Sequence, residues 1–162
     1  MHRITFIVLT VLTALALTAG SVLAAVNWKS GPTGTFPDAF TFNITGEATG
    51  LGNKPAIAHV TVHGTVTYTC ANKGGNQSPG QNPVDATSTF DQNLGNSDHN
   101  GRGVLDVTAM VSAAETVSGR VAGCPNGNWS GVDPEPFPVP ITSVDVTITQ
   151  GNQTIFSATY TP

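Results

Sequence analysis

The run Ile57-Ala58-His59-Val60-Thr61-Val62-His63-Gly64-Thr65-Val66-Thr67-Tyr68-Thr69-Cys70 decides the fold. Val60, Val62, Val66, Tyr68 and Cys70 alternate with His59, Thr61, His63, Thr65, Thr67 and Thr69. Successive side chains of a β-strand point to opposite faces, so this alternation predicts a strand with one buried and one solvated side. At about 3.3 Å per residue the run would extend about 46 Å, too far for one straight strand. Gly64 falls on the inward side with nothing to pack, so a bend, a bulge or a change of sheet is expected there.

Three further runs carry the same period. Phe40, Phe42 and Ile44 alternate with Thr41, Asn43 and Thr45; Leu105, Val107, Ala109 and Val111 with Asp106, Thr108, Met110 and Ser112. Val144, Val146 and Ile148 alternate with Asp145, Thr147 and Thr149, and weaker candidates are Val84–Phe90 and a short piece after Trp129. The last two strands form a hairpin around Gln150-Gly151-Asn152-Gln153. A two-residue Gly-Asn turn would oppose Ile148 to Ile155 but set Val146 against Ser157. A three-residue loop over 151–153 opposes Ile148 to Phe156, Val146 to Ala158 and Val144 to Tyr160. A one-residue slip sends a whole face to the wrong side, so the longer loop is expected.

No ten-residue window has helical periodicity. Seven or so short antiparallel strands between Gly/Pro/Asn loops predict an all-β chain: a two-sheet antiparallel β-sandwich, immunoglobulin-like in the broad sense. Composition agrees, since beyond residue 24 there are 14 valines to 3 leucines, and β-branched side chains suit strands.

The N-terminus sets the compartment. Met1-His2-Arg3, an apolar run from Ile4 to Ala19 and the small-residue site Val22-Leu23-Ala24 make a secretory signal peptide over 1–24. Residues 25–162 are then one β-sandwich domain, secreted and free of the membrane once the signal is cleaved. Cys70 and Cys124 are the only cysteines, and in an oxidising compartment such a pair is read as a disulfide. On the chain-entropy view it stabilises the fold by about 4 kcal/mol. The chain has 6 Lys and Arg against 10 Asp and Glu, and the cations are scattered. A nucleic-acid backbone needs them clustered, so no nucleic-acid partner is expected.

Asn/Gly-rich loops run from Ala71 to Pro83, from Asp91 to Gly101, and from Pro125 to Trp129 into Pro134–Pro140. The disulfide would hold the first and third together at one end of the sandwich, where rigidly held loops bind ligands. The strings Tyr68-Thr69-Cys70-Ala71-Asn72-Lys73-Gly74-Gly75-Asn76, Pro79-Gly80-Gln81-Asn82-Pro83 and Cys124-Pro125-Asn126-Gly127-Asn128-Trp129 resemble those of an uncharacterised family of small secreted bacterial proteins. The resemblance implies a secreted, disulfide-bearing β domain and brings no known activity or substrate. The proline-alternating stretch at 134–140 departs from the family pattern.

Catalytic and metal chemistry find little footing. No Gly-x-Ser-x-Gly elbow is present. His59 and His63, four residues apart on one strand face, stand about 13 Å from each other, too far to share one zinc. Asn96, Asp98 and Asn100 before Gly101 imitate the opening of a calcium loop, but Val107 occupies the position of the bidentate Glu. A polar turn is the preferred reading of these three. No cofactor and no enzymatic activity are therefore expected, with a hydrolase ranked last. Four Asn-x-Ser/Thr strings, at Asn43, Asn76, Asn128 and Asn152, are read as chance in a chain so rich in Asn and Thr.

Binding is the better class. Asn72, Asn76, Asn82, Asn126, Asn128, Trp129 and Phe137 are the candidate ligand residues, and the partner is an unknown extracellular glycan or protein. Trp28, Trp129 and Phe137 offer flat faces that stack on a sugar ring or an apolar patch. Phe137, fenced by prolines, is expected in a stiff extended segment, either covering a sheet edge or docking a partner. The alternative is a structural, self-associating surface or matrix protein.

Overall fold

A computed structural model describes residues 26–51, 54–95 and 101–162. The signal peptide expected over 1–24 lies outside them, and among the described residues no helix is long and apolar enough to cross a membrane. The ten strands of the described residues are β1 (Asn27–Thr35), β2 (Phe42–Thr49), β3 (Ala56–Ala71), β4 (Gln77–Pro79) and β5 (Val84–Asn93), then β6 (Gly103–Ala109), β7 (Thr116–Ser118), β8 (Ser130–Glu135), β9 (Ile141–Gln150) and β10 (Gln153–Tyr160). They form a β-sandwich of two antiparallel sheets. The smaller sheet runs β1-β2-β6; the larger runs β10-β9-β3-β8-β7, with β4 and β5 also paired to β3.

The alternation written in β3 holds without a break. Every even residue from Ala56 to Cys70 is buried. What changes is the partner. From Ile57 to Val66 the strand lies against β5, and from Ala56 to Gly64 against β9. From Thr67 onward it pairs with β8, and from Thr69 with β4. Of the bend, bulge or change of sheet expected at Gly64, the structure shows a bulge, carried by β9 rather than by β3. His63 opposes Ser143 while Gly64 opposes Ile141, leaving Thr142 as the extra residue, and the Thr142 hydroxyl donates to the His63 carbonyl at 3.1 Å. In β8 the extra residues fall between Val132, opposite Thr69, and Glu135, opposite Thr67. Asp133 there takes a left-handed φ of 51°, a conformation that Asp tolerates better than most residues.

The two sheets close over a core rich in β-branched side chains. Phe42, Ile44, Val60, Val62, Val144, Val146 and Ile148 are fully buried. β10 covers one margin, where Trp28 meets Phe156 edge-on at 6.1 Å and Phe42 lies 5.2 Å from Tyr160. Trp28 is thus committed to the sandwich rather than to a ligand. At the other margin the Gln92 side chain imitates a strand: its Nε2 donates to the Val104 carbonyl at 3.3 Å, and its Oε1 accepts the Asp106 N–H at 2.9 Å.

The hairpin register is the expected one, reached by another route. Phe156 opposes Ile148, Ala158 opposes Val146 and Tyr160 opposes Val144. The turn, however, is the two-residue Gly151-Asn152, and a bulge between Thr154 and Phe156 absorbs the slip. A bulge adds one residue to one strand, so turn preference and face preference are both met. Two boundaries also differ from expectation: β6 stops at Ala109, short of Val111, and β2 starts at Phe42 rather than Phe40.

A methyl group at Gly64 would lie 2.6 Å from Val139 Cγ1 and 2.7 Å from the Pro140 carbonyl oxygen. Backbone cannot yield as a side-chain tip can, so Gly64→Ala should destabilise the fold by about 1–3 kcal/mol, as overpacked cores do. Urea unfolding should show a lower midpoint at unchanged slope; an unchanged midpoint would contradict the close approach.

Candidate functional site

β3 and β8 end together, Ala71 opposite Ser130 and Cys70 opposite Gly131, and the loops beyond them build the site. On the β3 side the stretch expected as one long loop is a hairpin, since Cys70 and Ala71 pair with Ser78 and Gln77 of β4. Its turn is organised by one side chain. Asn72 Oδ1 accepts the backbone N–H groups of Gly74 at 2.9 Å and Asn76 at 3.0 Å, the local bonding that makes Asn a turn residue. Gly75, at φ 81°, donates its N–H to the Asn72 carbonyl at 3.0 Å.

The facing loop repeats the device. Asn126 Oδ1 accepts the Asn128 N–H at 2.9 Å, and the Trp129 N–H donates to the Asn126 carbonyl at 3.0 Å. The Cys70–Cys124 disulfide, with Cα atoms 5.6 Å apart, ties this loop to the end of β3. A strut supports it from the side: Gln81 and Asn82 donate their N–H groups to the Ala122 carbonyl at 3.0 and 3.2 Å, and Asn82 Nδ2 donates to the Val121 carbonyl at 3.2 Å.

Between the two loops lies a groove of about 480 Å³ lined by Asn72, Lys73, Gly74, Asn128 and Trp129. Trp129 is half-buried, packed against the core, while Lys73 and Asn128 are exposed. Amides that donate and accept, an ammonium donor and a flat indole suit a ligand that is apolar on its faces and hydroxylated at its rim.

The seven candidates therefore divide. Asn72, Asn128 and Trp129 meet in the groove, and Asn76 and Asn126 shape the turns that frame it. Asn82 belongs to the strut. Phe137 stands apart, 74 % exposed, beside Glu115, Val132 and Pro134 in a concavity of about 590 Å³. Its segment is not extended: the chain bends over 136–138, and the peptide bonds preceding Pro136 and Pro138 are cis. A third concavity, of about 320 Å³, is lined by Thr67, Thr69, Gln77, Ser78 and Glu135 among others. These polar strand residues, with Lys73, were absent from the sequence-based set; the outward row of threonines on β3 was the signal for them. Beneath this face Tyr68 points inward, its hydroxyl donating to the Ala114 carbonyl at 2.8 Å, and burial holds its phenol above the ordinary pKa.

Asn96, Asp98 and Asn100, the calcium candidates, lie outside the described residues. Among the described residues no three His, Cys, Asp or Glu side chains gather to hold a metal. His59 and His63 each face a carboxylate instead, Asp91 at 2.7 Å and Asp145 at 3.2 Å.

The chain matches no family model, no curated protein and no solved structure. The geometry alone therefore carries the functional argument.

The bridge joins residues 54 positions apart, a long loop to leave open in the unfolded chain. Replacing both cysteines by alanine should cost about 2–5 kcal/mol, as for a native bridge in a small domain. Amide exchange should rise first at Asn72–Asn76 and Asn126–Trp129, while β9 keeps its protection; uniform loss of protection would show that the bridge does not act on the groove.

Proposed function

We propose that this chain is a secreted, non-catalytic binding domain, immunoglobulin-like in the broad sense, that recognises an extracellular glycan at the groove between its two Asn-organised loops. It leaves the cell after cleavage behind Ala24 and belongs with small secreted bacterial proteins of the same cysteine and asparagine pattern. One observation carries the reading: Asn72, Lys73 and Gly74 face Asn128 and Trp129 across a groove of about 480 Å³ whose walls a disulfide joins. Loops already held by their own side-chain bonds lose little further freedom on binding, so weak contacts to a sugar are not spent on ordering them. An indole set among amides supplies both stacking and hydrogen bonds.

Trp129→Ala should abolish pull-down on insoluble polysaccharides that the wild type binds, with an unchanged far-UV spectrum. A panel of polysaccharides that wild type uniformly fails to bind would refute the reading.

Phe137 supports a second reading, a surface or matrix protein that associates with itself, because it is the most exposed of the large apolar side chains described. That reading expects oligomers that grow with concentration in light scattering and vanish in Phe137→Ser. A monomer at high concentration would eliminate it.

A further inference from the structure

The polar concavity and the one beside Phe137 lie on one face of one sheet, and the loop groove adjoins its end. Cross-strand partners in register project to the same side, which orders the residues into rows. Ala71 opposes Ser130, Thr69 opposes Val132, which in turn opposes Thr116, and Thr67 opposes Glu135. The first row adjoins the Asn72–Trp129 groove. The second and third supply Thr69 and Thr67 to the polar concavity, and Val132 and Thr116 to the one beside Phe137. Glu135 lines both. From Ala71 to Thr67 the rows extend about 13 Å at about 3.3 Å per residue, two to three pyranose rings end to end. The loop groove adjoins one end and Phe137 the other, with the hydroxyls of Thr69 and Thr67 between them.

The charge of this track is one-sided at the Phe137 end. Glu115, Asp133 and Glu135 all line that concavity, and the ion pairs of the described residues involve none of them. Unpaired carboxylates beside an exposed aromatic ring favour a cation over its face and repel an anionic polymer. Resting on the proposed function above, the geometry points to a linear polysaccharide bearing amino groups as the ligand. It lies along the outer face of β3 and β8, from the loop groove across Thr69 and Thr67 to Phe137. The loop groove is then one end of the site rather than the whole of it.

Calorimetry with the dimer and hexamer of β-1,4-linked glucosamine, and with the N-acetylated hexamer, tests this. The glucosamine hexamer should bind wild type at least about tenfold more tightly than the dimer, the scale of one added aromatic contact with its charges. Phe137→Ala should return the hexamer to the dimer's affinity, and Glu135→Gln should weaken the hexamer and flatten its salt dependence. Both side chains are exposed, so the variants should stay folded, as circular dichroism would verify. A hexamer no tighter than the dimer, or an N-acetylated hexamer bound equally well, overturns the inference. If Trp129-dependent capture of a polysaccharide persists in that case, the proposed function stands without it. No binding to any glycan removes both.

Discussion

The packing of Val139 and Pro140 onto the bare backbone of Gly64 governs the rest of the structure. The segment between β8 and β9 packs close over β3 at Gly64, where no side chain projects inward. A Cβ at Gly64 would meet Val139, Pro140 and Val111, all within 3 Å. Val139 is itself buried to 1 % exposure, so it fills the space the glycine leaves. With that contact in place, β9 pairs with the first half of β3 and β8 with the second. The Ile141 N–H, donating to the Ala39 carbonyl at 2.8 Å, fastens the start of β9 to the approach to β2.

Edges are the other problem a sandwich of short strands has to solve, since an unpaired strand invites pairing with another molecule. Here side chains meet it. Gln92 offers β6 both a donor and an acceptor, and Ser88 Oγ accepts the Ser112 N–H at 3.1 Å just past the end of β6. At the opposite margin the aromatic rings of β1, β2 and β10 interlock, and the Tyr160 hydroxyl donates to the Pro32 carbonyl at 3.4 Å. The solvated face of the larger sheet is stitched as well, because Asp145 accepts from Thr159 at 2.6 Å while facing His63. Its cross-strand polar groups satisfy one another, which is why this face holds together without apolar cover.

The legible parts of the fold were those where burial imposes period 2. The strands β3, β6 and β9 announce themselves because every second residue is apolar, and the facing register of β9 and β10 followed from the same logic. β1 was invisible for the opposite reason. Asn27-Trp28-Lys29-Ser30-Gly31-Pro32-Thr33-Gly34-Thr35 lies on the edge of a sheet, and register shifts at Ser30 and Thr33 break its pairing with β2. Edge position tolerates its Pro and glycines, and only Trp28 and its contact with Phe156 show the buried side. β4 and β7, at three residues each, are too short to display any period. The route through the β9–β10 turn was equally hidden, since a bulge changes the count of residues without changing which faces are buried.

The candidate site was legible in its chemistry but not in its division of labour. Asparagine is drawn to loops because its amide bonds to nearby backbone, and the same amide serves a ligand when left free. Composition cannot separate these uses, whereas hydrogen-bond partners can. The Oδ1 atoms of Asn72 and Asn126 are committed to their own turns, and Asn82 Nδ2 to the strut. The loops so bonded place Asn128 and Trp129 opposite Asn72 and Lys73 in the groove. The concavities that Phe137 and the threonines of β3 line follow a different rule. Their role depends on which strands lie side by side, and that neighbourhood exists only once β3 has exchanged β9 for β8. A surface assembled by a change of sheet partner leaves no local pattern in the chain, so its residues come together only when the registers are known.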